Sequence, residues 1–423
     1  MKVLIVGSGG REHAIAWSVS QSKRVDKIYC APGNGGIAEI AECVNITAME
    51  FDKLVAFAKE HAIDLTIIGM DDPLVGGIVD VFEAEGLKVF GPRKNAAILE
   101  GSKAFSKDLM KKYNIPTAGY ENFTDPNEAL AYLETAKMPI VLKADGLALG
   151  KGVLICNTLE EAKEGVRTIM EDKKFGNAGN TMVIEEFMTG REVSVLSFVD
   201  GKTIKIMSSA QDHKRAKDGD QGLNTGGMGT FSPSPFYTPE IQKFCEEQIY
   251  QPTMDAMKAE GRDFVGILFV GLMMTQDGPK VLEYNARFGD PEAQVVLPRM
   301  ENDIIEVMEA CVDGKLDQID LKFEDNAAVC VVLASDGYPV KYEKGIPIHG
   351  FENFKDKDGY YCFHAGTKFK DGEIVTNGGR VLGITAKGET LKEARKNAYA
   401  ATEWISFANK YMRHDIGKAI DEA

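Results

Sequence analysis

The sequence predicts an α/β protein that begins with a parallel sheet and continues into further mixed domains. In the first part of the chain, short apolar segments with the length of strands alternate with helical segments, and glycine-rich turns follow those strands. The 423 residues are enough for about three domains. With 44% hydrophobic and 27% charged residues, the composition excludes a mainly disordered chain.

The first predicted domain has strands at residues 2–6, 27–30, 65–68 and 89–90, and a helix at 11–20. Strands that alternate with helices at this spacing indicate a parallel sheet. Ligands bind such sheets at the carboxyl ends of the strands, where the glycine turns lie.

The rest of the chain is predicted to form three further blocks. A polar helix is expected at 96–118. The next block combines helices and strands, the middle of the chain holds longer elements around a polar loop, and the last block starts with a strand and ends with a helix. The predicted ranges are helices 126–136 and 159–170, strands 140–143, 153–156 and 181–185, the polar loop 208–232, strand 328–334 and a helix from about 390 to 411.

The charge balance narrows the range of ligands. The formal net charge is −15, so we expect neither nucleic acid nor an anionic membrane as a partner. An anionic ligand would need lysines and arginines concentrated at its site. Seven dispersed cysteines, of which the closest two are Cys30 and Cys43, suggest reduced thiols in a cytoplasmic protein. We expect no signal peptide and no membrane span.

Three glycine-rich or acidic loops follow the first strands. The first includes Gly9, Gly10 and Arg11, and Glu12 stands where a dinucleotide fingerprint needs its third glycine, so the pattern argues against NAD. Backbone N–H groups at a helix N-terminus would still attract a small phosphate. The loops with Asn34-Gly35 and Asp71 would share that rim and form a pocket for a polar molecule; the alternative is that all three are ordinary turns.

A second glycine loop lies between the predicted strands 140–143 and 153–156. It resembles a Walker A loop, but the glycine spacing is one residue short and Gly152 replaces the hydroxyl residue that binds Mg²⁺. A hairpin of this composition can close over a polyphosphate as a lid, with Lys143 and Lys151 neutralising charge. A plain hairpin is the alternative.

The strongest local signal is the segment 281–292, the return strand of a predicted hairpin. Because strand side chains alternate, Glu283, Asn285 and Arg287 should share one face. A carboxylate and an amide oxygen suit Mg²⁺, and an adjacent arginine can bind a carboxylate or phosphate. The alternative is an amphipathic strand with a solvated face.

Two further segments carry weaker signals. Glu185 and Glu186 end an apolar strand and could meet a nucleotide, although a solvated strand end is the alternative. The polar loop contains His213, which could be a catalytic base or part of a charged surface loop. No serine or cysteine partner for it is evident.

Together these motifs resemble the ATP-grasp superfamily and, within it, the phosphoribosylamine–glycine ligases, or glycinamide ribonucleotide synthetases. The resemblance runs nearly end to end. One departure is Gly69-Met70-Asp71-Asp72-Pro73, where Gly-Pro-Glu is expected and Asp71 keeps a shorter acid. The matching motifs are GSGGREHA, APGNGG, LEGSKAFSKD, VLKADGLALGKGV, VIEEFMTGRE, QDHKR, NTGGMG and EYNARFGDPE.

The resemblance implies an ATP-grasp fold with a Rossmann-like N-terminal (pre-ATP-grasp) domain at 1–100. The ATP-grasp domain would span 101–325 with an α+β lid at about 120–190, and a small α/β domain would span 326–423. It also implies that a monomer joins glycine to 5-phosphoribosylamine with ATP and Mg²⁺ or Mn²⁺, through glycyl phosphate, in purine synthesis. No protein nucleophile is then required.

The resemblance further implies a role for each matching residue. ATP would be bound by Lys103, Lys143, Gly146, Gly150, Lys151, Gly152, Glu185, Glu186, Phe187 and Glu192. Glu283 and Asn285 would hold the metal, while Arg287, Asp212 and Lys214 would act on glycine and the amine. The ribosylamine and glycine would be held by Gly9, Gly10, Arg11, Asn34, Gly35, Asp71, Asn224, Thr225 and Gly226.

Two other functions stay open from the sequence. Another ATP-grasp ligase or carboxylase would accept formate or bicarbonate in place of glycine. A non-catalytic nucleotide-binding scaffold would bind ATP without glycine-dependent turnover.

Overall fold

The computed structural model describes residues 1–423, apart from the side chain of Leu149. Its first part is a parallel sheet with strand order β3-β2-β1-β4-β5 and helices between the strands, as the sequence predicts. The elements are β1 (Lys2–Gly7), α1 (Gly10–Ser20), β2 (Lys27–Pro32), β3 (Glu42–Cys43), α2 (Phe51–Glu60), β4 (Leu65–Ile68), α3 (Asp71–Gly76), α4 (Ile78–Ala84), β5 (Val89–Phe90) and α5 (Lys94–Gly101).

Alternation along β1 divides the apolar core of this part between two layers. Leu4 and Val6 pack with the residues of α2 and α4. Val3 and Ile5 face the other side and share a cluster with Phe198 from the middle of the chain, as well as with residues of α1. The N-terminal sheet is therefore joined to the next part of the molecule by a continuous core.

The next part is a small antiparallel sheet with strand order β6-β9-β7-β8. β7 and β8 form the predicted hairpin around the second glycine loop, with Ile140 paired to Cys156. Its elements are α6 (Lys103–Lys112), β6 (Tyr120–Phe123), α7 (Pro126–Leu133), β7 (Ile140–Ala144), β8 (Val153–Cys156), α8 (Leu159–Val166) and β9 (Met182–Glu186).

A second antiparallel sheet, with order β11-β10-β16-β17, forms the floor beneath the hairpin. Between its strands lie short pieces that pair elsewhere. The elements are β10 (Arg191–Asp200), β11 (Ile204–Ile206), β12 (Gln211–Asp212), β13 (Arg215–Lys217), β14 (Gln221–Asn224), β15 (Gly229–Ser232), α9 (Pro239–Cys245), α10 (Gln251–Ala259), β16 (Val265–Thr275), β17 (Gly278–Asn285), α11 (Ala293–Val296) and α12 (Ile304–Val312).

The last part contributes to a sheet of order β12-β15-β18-β22-β19, with β23 also paired to β18. Because β12 and β15 precede residue 326 and β18 follows it, this sheet crosses the boundary that the sequence suggests. The elements are β18 (Ala327–Ser335), β19 (Tyr360–His364), β20 (Thr367–Lys370), β21 (Glu373–Thr376), β22 (Arg380–Gly388), α13 (Leu391–Thr402) and β23 (Lys410–Tyr411).

Three element predictions are wrong. The single helix at 96–118 is two helices that break at Ser102, whose side chain caps α6 by accepting from the N–H of Phe105. The polar loop 208–232 contains the four strands β12–β15. The last helix ends at Thr402 instead of 411, because Lys410 donates to the carbonyl groups of Thr402 and Ile405 and the chain leaves the helix.

Within the described residues, no helix is both long and apolar enough to cross a membrane.

Candidate active site

Four cations from separate parts of the chain act electrostatically on the carboxylate of Glu283. Partial removal from water raises the pKa of Glu283, but Lys214, Lys143, Arg287 and Lys103 lower it further, so that the pKa lies below its usual value. These cations come from α6, β7, the segment after β12 and the segment after β17. These four cations are therefore concentrated in one cleft, between the hairpin and the floor.

The return strand β17 presents its polar residues much as the sequence predicts, with two differences. It ends at Asn285, so Arg287 lies just beyond it, yet Nη2 of Arg287 still lies 3.2 Å from Oδ1 of Asn285. A bulge also leaves Leu282 outside the pairing with β16. The carbonyl of Leu282 accepts from Nζ of Lys143 at 3.4 Å, so this irregularity joins the floor to the hairpin.

Arg287 is oriented by a buried acid that sequence reasoning missed. Oε1 of Glu100 lies 2.9 Å from Nη2 of Arg287, and its other oxygen accepts from the N–H of Ala286 at 2.7 Å. Burial raises the pKa of Glu100 although Arg287 lowers it. Within the described residues, Nε of Arg287 is buried without a hydrogen-bond partner, which leaves one donor for a ligand.

Glu185 is buried between two lysines. Its carboxylate lies 3.0 Å from Nζ of Lys143 and 3.6 Å from Nζ of Lys107, and it is 3% exposed. Burial lowers the pKa of Lys107 to about 8, despite the nearby Glu185. Lys107 was missed, although Lys103 and Lys107 are four residues apart and face the same side of α6.

The base of the hairpin is tied to the N-terminus of α6. Asp145 accepts from the hydroxyl of Ser102 at 3.0 Å and from the N–H of Ala104 at 3.1 Å. Nζ of Lys103 donates to the carbonyl of Gly146 at 2.6 Å. Burial lowers the pKa of Lys103, and Lys143 lowers it further. The glycine loop thus has a fixed base.

The tip of that loop is open. Gly150 and Lys151 are exposed, whereas Gly152 is buried and a Cβ there would lie 2.8 Å from Ala148. The strand end behind the loop is also open: Glu186 accepts from the N–H of Gly119, and Phe187 is 38% exposed.

Glu192 is the second residue of β10 and faces the same cleft. Removal from water raises the pKa of Glu192, as do Glu283 and Asp212, while Lys214 opposes them.

Asp212 and Lys214 form a close ion pair, with Nζ 2.6 Å from Oδ2. Burial lowers the pKa of Lys214, but Asp212, Glu292 and Glu283 raise it more strongly, so it stays charged. Glu292 is 1% exposed and accepts from the hydroxyl of Ser194. Burial and Asp212 raise the pKa of Glu292 to about 7. Sequence reasoning assigned no role to Glu292, although it is the last residue of the segment 281–292.

His213 fits neither a catalytic base nor a charged surface loop. Its Nδ1 lies 2.9 Å from the carbonyl of Gly229, and its Nε2 accepts from the N–H of Gly417 at 3.1 Å. Both ring nitrogens are used by backbone groups, and burial lowers the pKa of His213. It is therefore a neutral structural link.

The segment with Asn224, Thr225 and Gly226 lies beside the Asp212–Lys214 pair. The N–H and hydroxyl of Thr225 both donate to the carbonyl of Lys214, at 2.7 and 2.8 Å. Asn224 is exposed, and a Cβ on Gly226 would lie 2.7 Å from Cζ of Arg380. Arg380, which comes from β22, was also missed.

At the N-terminus of α1, two of the N–H groups that the sequence offers to a phosphate, those of Gly9 and Arg11, are engaged by carboxylates. The N–H of Gly9 donates to Glu12 at 2.8 Å, and the N–H of Arg11 donates to Asp290 at 3.2 Å. The protein's own carboxylates thus take the position expected for a phosphate. A Cβ at Gly10 would clash with Gln294, 2.5 Å away.

Asp290 connects this loop to Arg380. Nη1 of Arg380 lies 2.9 Å from the carbonyl oxygen and 3.6 Å from the carboxylate of Asp290. Burial raises the pKa of Asp290, but Arg380 and Arg11 lower it further, so the carboxyl stays ionised.

Asn34 and Gly35 also make their hydrogen bonds to other groups of the protein. The amide nitrogen of Asn34 donates to the carbonyls of Ser8 and His364, and its oxygen accepts from the N–H groups of Gly36 and Ile37. This uses the full capacity of the side chain, so the predicted sugar contact by Asn34 is not supported. The N–H of Gly35 donates to Thr367.

Asp71 lies at the first turn of α3 and is half-buried. Burial lowers the pKa of Arg11, but the charges of Glu12, Asp290 and Asp71 raise it more strongly. Asp71 therefore belongs to the same charged group as Arg11, as the shared rim predicts.

The residues of β17 fit a magnesium ion. Glu283 is open to the cleft and held in its ionised form, and Asn285 lies two residues further along the same strand, so that the two side chains share a face. Mg²⁺ takes oxygen ligands, commonly one or two carboxylates together with substrate phosphates. One carboxylate and one amide next to Lys103 and Lys143 match that requirement.

Comparisons with known proteins cover the whole chain. Residues 1–100 match the family model described as phosphoribosylglycinamide synthetase, N domain; residues 101–293 match its ATP-grasp (A) domain, and residues 328–419 its C domain. The phosphoribosylamine–glycine ligase of Caldanaerobacter subterraneus is 51% identical over 416 residues, which cover 98% of this chain and 99% of that protein. The enzyme of the same name from Halalkalibacterium halodurans is 51% identical over 423 residues, covering 100% and 98%.

Solved structures agree. The phosphoribosylamine–glycine ligase of Thermotoga maritima superimposes with a TM-score of 0.86 at 36% identity, over 99% of this chain and 100% of that one. The biotin carboxylase domain of the Hydrogenobacter thermophilus 2-oxoglutarate carboxylase has a TM-score of 0.73 at 16% identity, over 97% and 91%, and is similar in fold alone.

Proposed function

The chain belongs to the phosphoribosylglycinamide synthetase family, and from that premise we propose that it joins glycine to 5-phosphoribosylamine at the expense of ATP. The products are glycinamide ribonucleotide, ADP and phosphate, and the reaction is a step of purine biosynthesis. The relatives that carry this activity in their names match almost the full chain.

The observation that supports a phosphoryl-transfer site most directly is the group of cations around Glu283. In a protein of net charge −15, Lys103, Lys143, Lys214 and Arg287 all lower the pKa of one carboxylate, that of Glu283. A triphosphate needs this concentration of positive charge, and catalysis of its transfer depends mainly on positioning and charge neutralisation.

The nucleotide lies between the hairpin and the floor in this proposal. Lys103 and Lys143 bind its phosphates, with the loop from Gly146 to Gly152 above them. The strand end at Glu185, Glu186 and Phe187 frames the adenine, and Glu192 binds the ribose. Glu283 and Asn285 hold Mg²⁺, which when bound neutralises charge between the phosphates and the incoming carboxylate.

Glycine is activated next to Arg287. An oxygen of its carboxylate attacks the γ-phosphorus, the bond to the β-phosphate oxygen breaks, and ADP leaves. The unpartnered Nε of Arg287 supports a contact with the glycine carboxylate. Asp212 and Lys214 hold glycine and the incoming amine. The ribosylamine nitrogen then attacks the acyl carbon, phosphate leaves, and the proton of the amine passes to phosphate or solvent.

The acceptor pocket is the part that the sequence described least well. We place the ribosylamine at the junction of Arg11, Asp71, Asp290 and Arg380, beside the segment from Asn224 to Gly226. The N–H groups of Gly9 and Arg11 are engaged by carboxylates. The guanidinium groups of Arg11 and Arg380 are therefore better candidates for the substrate phosphate than the N–H groups of α1.

The test is product formation with ATP, glycine and freshly made phosphoribosylamine, with each component left out in turn. We expect glycinamide ribonucleotide and ADP in equal amounts only when all three are present. Turnover with formate or bicarbonate in place of glycine would indicate another ATP-grasp ligase or carboxylase. Binding of ATP without glycine-dependent turnover would indicate a scaffold.

A further inference from the structure

Residues 411–417, which follow α13, cross the β13–β14 hairpin; we call this segment the C-terminal strap. We propose that the strap is a positioning element of the active site, which holds the Asp212–Lys214 pair in place for the activation of glycine. This inference rests on the proposed function. In the strap, Oη of Tyr411 donates to the carbonyl of Ala216 (2.6 Å), and Nη1 of Arg413 donates to the carbonyl of Arg215 (3.1 Å). The N–H of His414 donates to Asp218 (2.7 Å), and Asp415 accepts from the N–H of Gly219 (2.8 Å). The N–H of Gly417 donates to Nε2 of His213 (3.1 Å).

Arg413 is the centre of the strap. It is 1% exposed and makes a two-pronged contact with Asp415, with Nε and Nη2 each 2.8 Å from one carboxylate oxygen. Its Nη1 lies 3.0 Å from Asp220 on the hairpin. Paired contacts of this kind fix both distance and angle. The strap is therefore a stiff connection between the C-terminal part of the chain and the β13–β14 hairpin.

His213 carries this connection to the reacting groups. Its ring is held by Gly229 on one side and by Gly417 of the strap on the other. Neighbouring side chains of an extended chain point to opposite sides, so Asp212 and Lys214 point away from the strap and toward the cleft. Any shift of His213 must move both of its neighbours.

The strap should act on the glycine step and leave nucleotide binding alone. Lys103 lies on α6 and is fixed by its contact with the carbonyl of Gly146 at the base of the β7–β8 hairpin. Lys143 lies on β7 and is fixed by its ion pair with Glu185. The strap contacts described above all reach the segment from His213 to Asp220. Displacement of a reacting group by about 1 Å can cost roughly a hundredfold in rate.

The experiment traps the activated glycine with hydroxylamine, which needs no ribosylamine. The variants are Arg413→Met and Arg413→Lys, with Lys387→Met as the matched control. Lys387 is also in the C-terminal part, 2.9 Å from Glu324, and does not belong to the strap. For Arg413→Met we expect kcat/KM for glycine in hydroxamate formation to fall by about tenfold or more. The dissociation constant of Mg-ATP should not change, and Arg413→Lys should recover part of the loss.

Each other outcome decides the question. An equal loss of ATP binding and glycine use, or no loss in a folded Arg413→Met variant, overturns the proposal. If Arg413→Met does not fold, the double variant Tyr411→Phe/Asp218→Ala removes two strap contacts with less disturbance. An unchanged glycine step in that variant then overturns the proposal. Wild-type protein that forms no glycine-dependent hydroxamate contradicts the proposed function itself, and the role of the strap falls with it.

Discussion

At the scale of single residues, Glu283 has the largest expected effect. Its ionised carboxylate is the only acid on the exposed face of β17 beside Asn285, and the proposed magnesium site depends on its charge. Glu283→Gln keeps the shape and removes that charge. We expect turnover to fall by at least about 100-fold. Steady-state rates over a range of Mg²⁺ concentrations provide the measurement, and near-normal activity at low Mg²⁺ would refute the metal assignment.

Arg287 is expected to act on the acid substrate. The guanidinium group spans Glu100, Asn285 and the position where its Nε has no partner. Lysine keeps the charge but cannot reproduce that planar arrangement. Arg287→Lys should therefore raise the KM for glycine with little effect on the KM for ATP. If neither the glycine KM nor kcat changes, Arg287 does not contact the acid.

The residues that sequence reasoning found differ from those it missed in how local their signal is. Lys143 and Glu283 stand in motifs whose neighbours already indicate phosphate and metal chemistry. Arg380 and Glu100 acquire their roles only through contacts with distant parts of the chain. The phosphate contact at Gly9–Arg11 stays a prediction, and the contact between Asp290 and the N–H of Arg11 joins residues 279 apart in sequence, which no local pattern reveals.

At the scale of elements, the break between α5 and α6 is more than a missed helix boundary. Ser102 caps α6 and its hydroxyl also donates to Asp145, so the break ties the glycine hairpin to the helix that carries Lys103. Ser102→Ala should lower the free energy of unfolding by about 1 kcal/mol. Because the hairpin base loosens, the KM for ATP should rise.

The measurements for Ser102→Ala are urea unfolding and ATP kinetics. Thr158→Ala is the control, because Thr158 caps α8 in the same way and no contact of Thr158 with Asp145 or Lys103 was found in the described structure. A comparable loss of stability in both variants, with a change in ATP KM only for Ser102→Ala, is the expected result. Equal ATP kinetics in the two variants would contradict a role of the cap in the site.

Regular elements with a clear period were predicted well, and elements set by tertiary contacts were not. β4, β5 and β8 lie where the sequence places them, since each is a short apolar run between turn residues. The apolar stripe at 390–411 suggested one long helix, but the helix ends at Thr402, and Lys410 and Tyr411 pair with β18 as β23. The pairing of β15 with β18 joins residues about 100 apart, which no local pattern reveals.

At the scale of the whole molecule, the acceptor side of the cleft is made where the first and last parts of the chain meet. Asn34 donates to the carbonyl of His364, and Arg380 reaches Asp290. The C-terminal part therefore contributes residues to the proposed site directly. The predicted boundary at 326 divides the sequence, but hydrogen bonds cross it in the structure. The monomeric state stays a prediction, which sedimentation would test.

The contact between His13 and His364 makes this meeting of the two ends sensitive to acid. Nδ1 of His13 accepts from the N–H of His364 at 2.7 Å, and burial lowers the pKa of His13 to about 3. Burial also lowers the pKa of His364. Both rings are therefore neutral when folded, whereas in the unfolded chain they bind protons below about pH 6.5. The contribution of the two neutral rings to the free energy of unfolding is fully present above that pH. Below it, each ring lowers the free energy of unfolding by about 1.4 kcal/mol for every unit by which the pH falls.

Replacing one ring isolates this effect from the other groups that titrate in the same range. His13→Asn keeps a short side chain with an acceptor oxygen and removes the titrating group. We expect the free energy of unfolding of the variant to depend less steeply on pH between 6.5 and 5 than that of wild type, by roughly one proton. Urea unfolding at closely spaced pH values measures the slope, and His61→Asn, a change on the far side of the N-terminal sheet, is the control. Parallel slopes for wild type and His13→Asn would show that His13 takes up a proton in the folded protein, in conflict with its burial between the two ends of the chain.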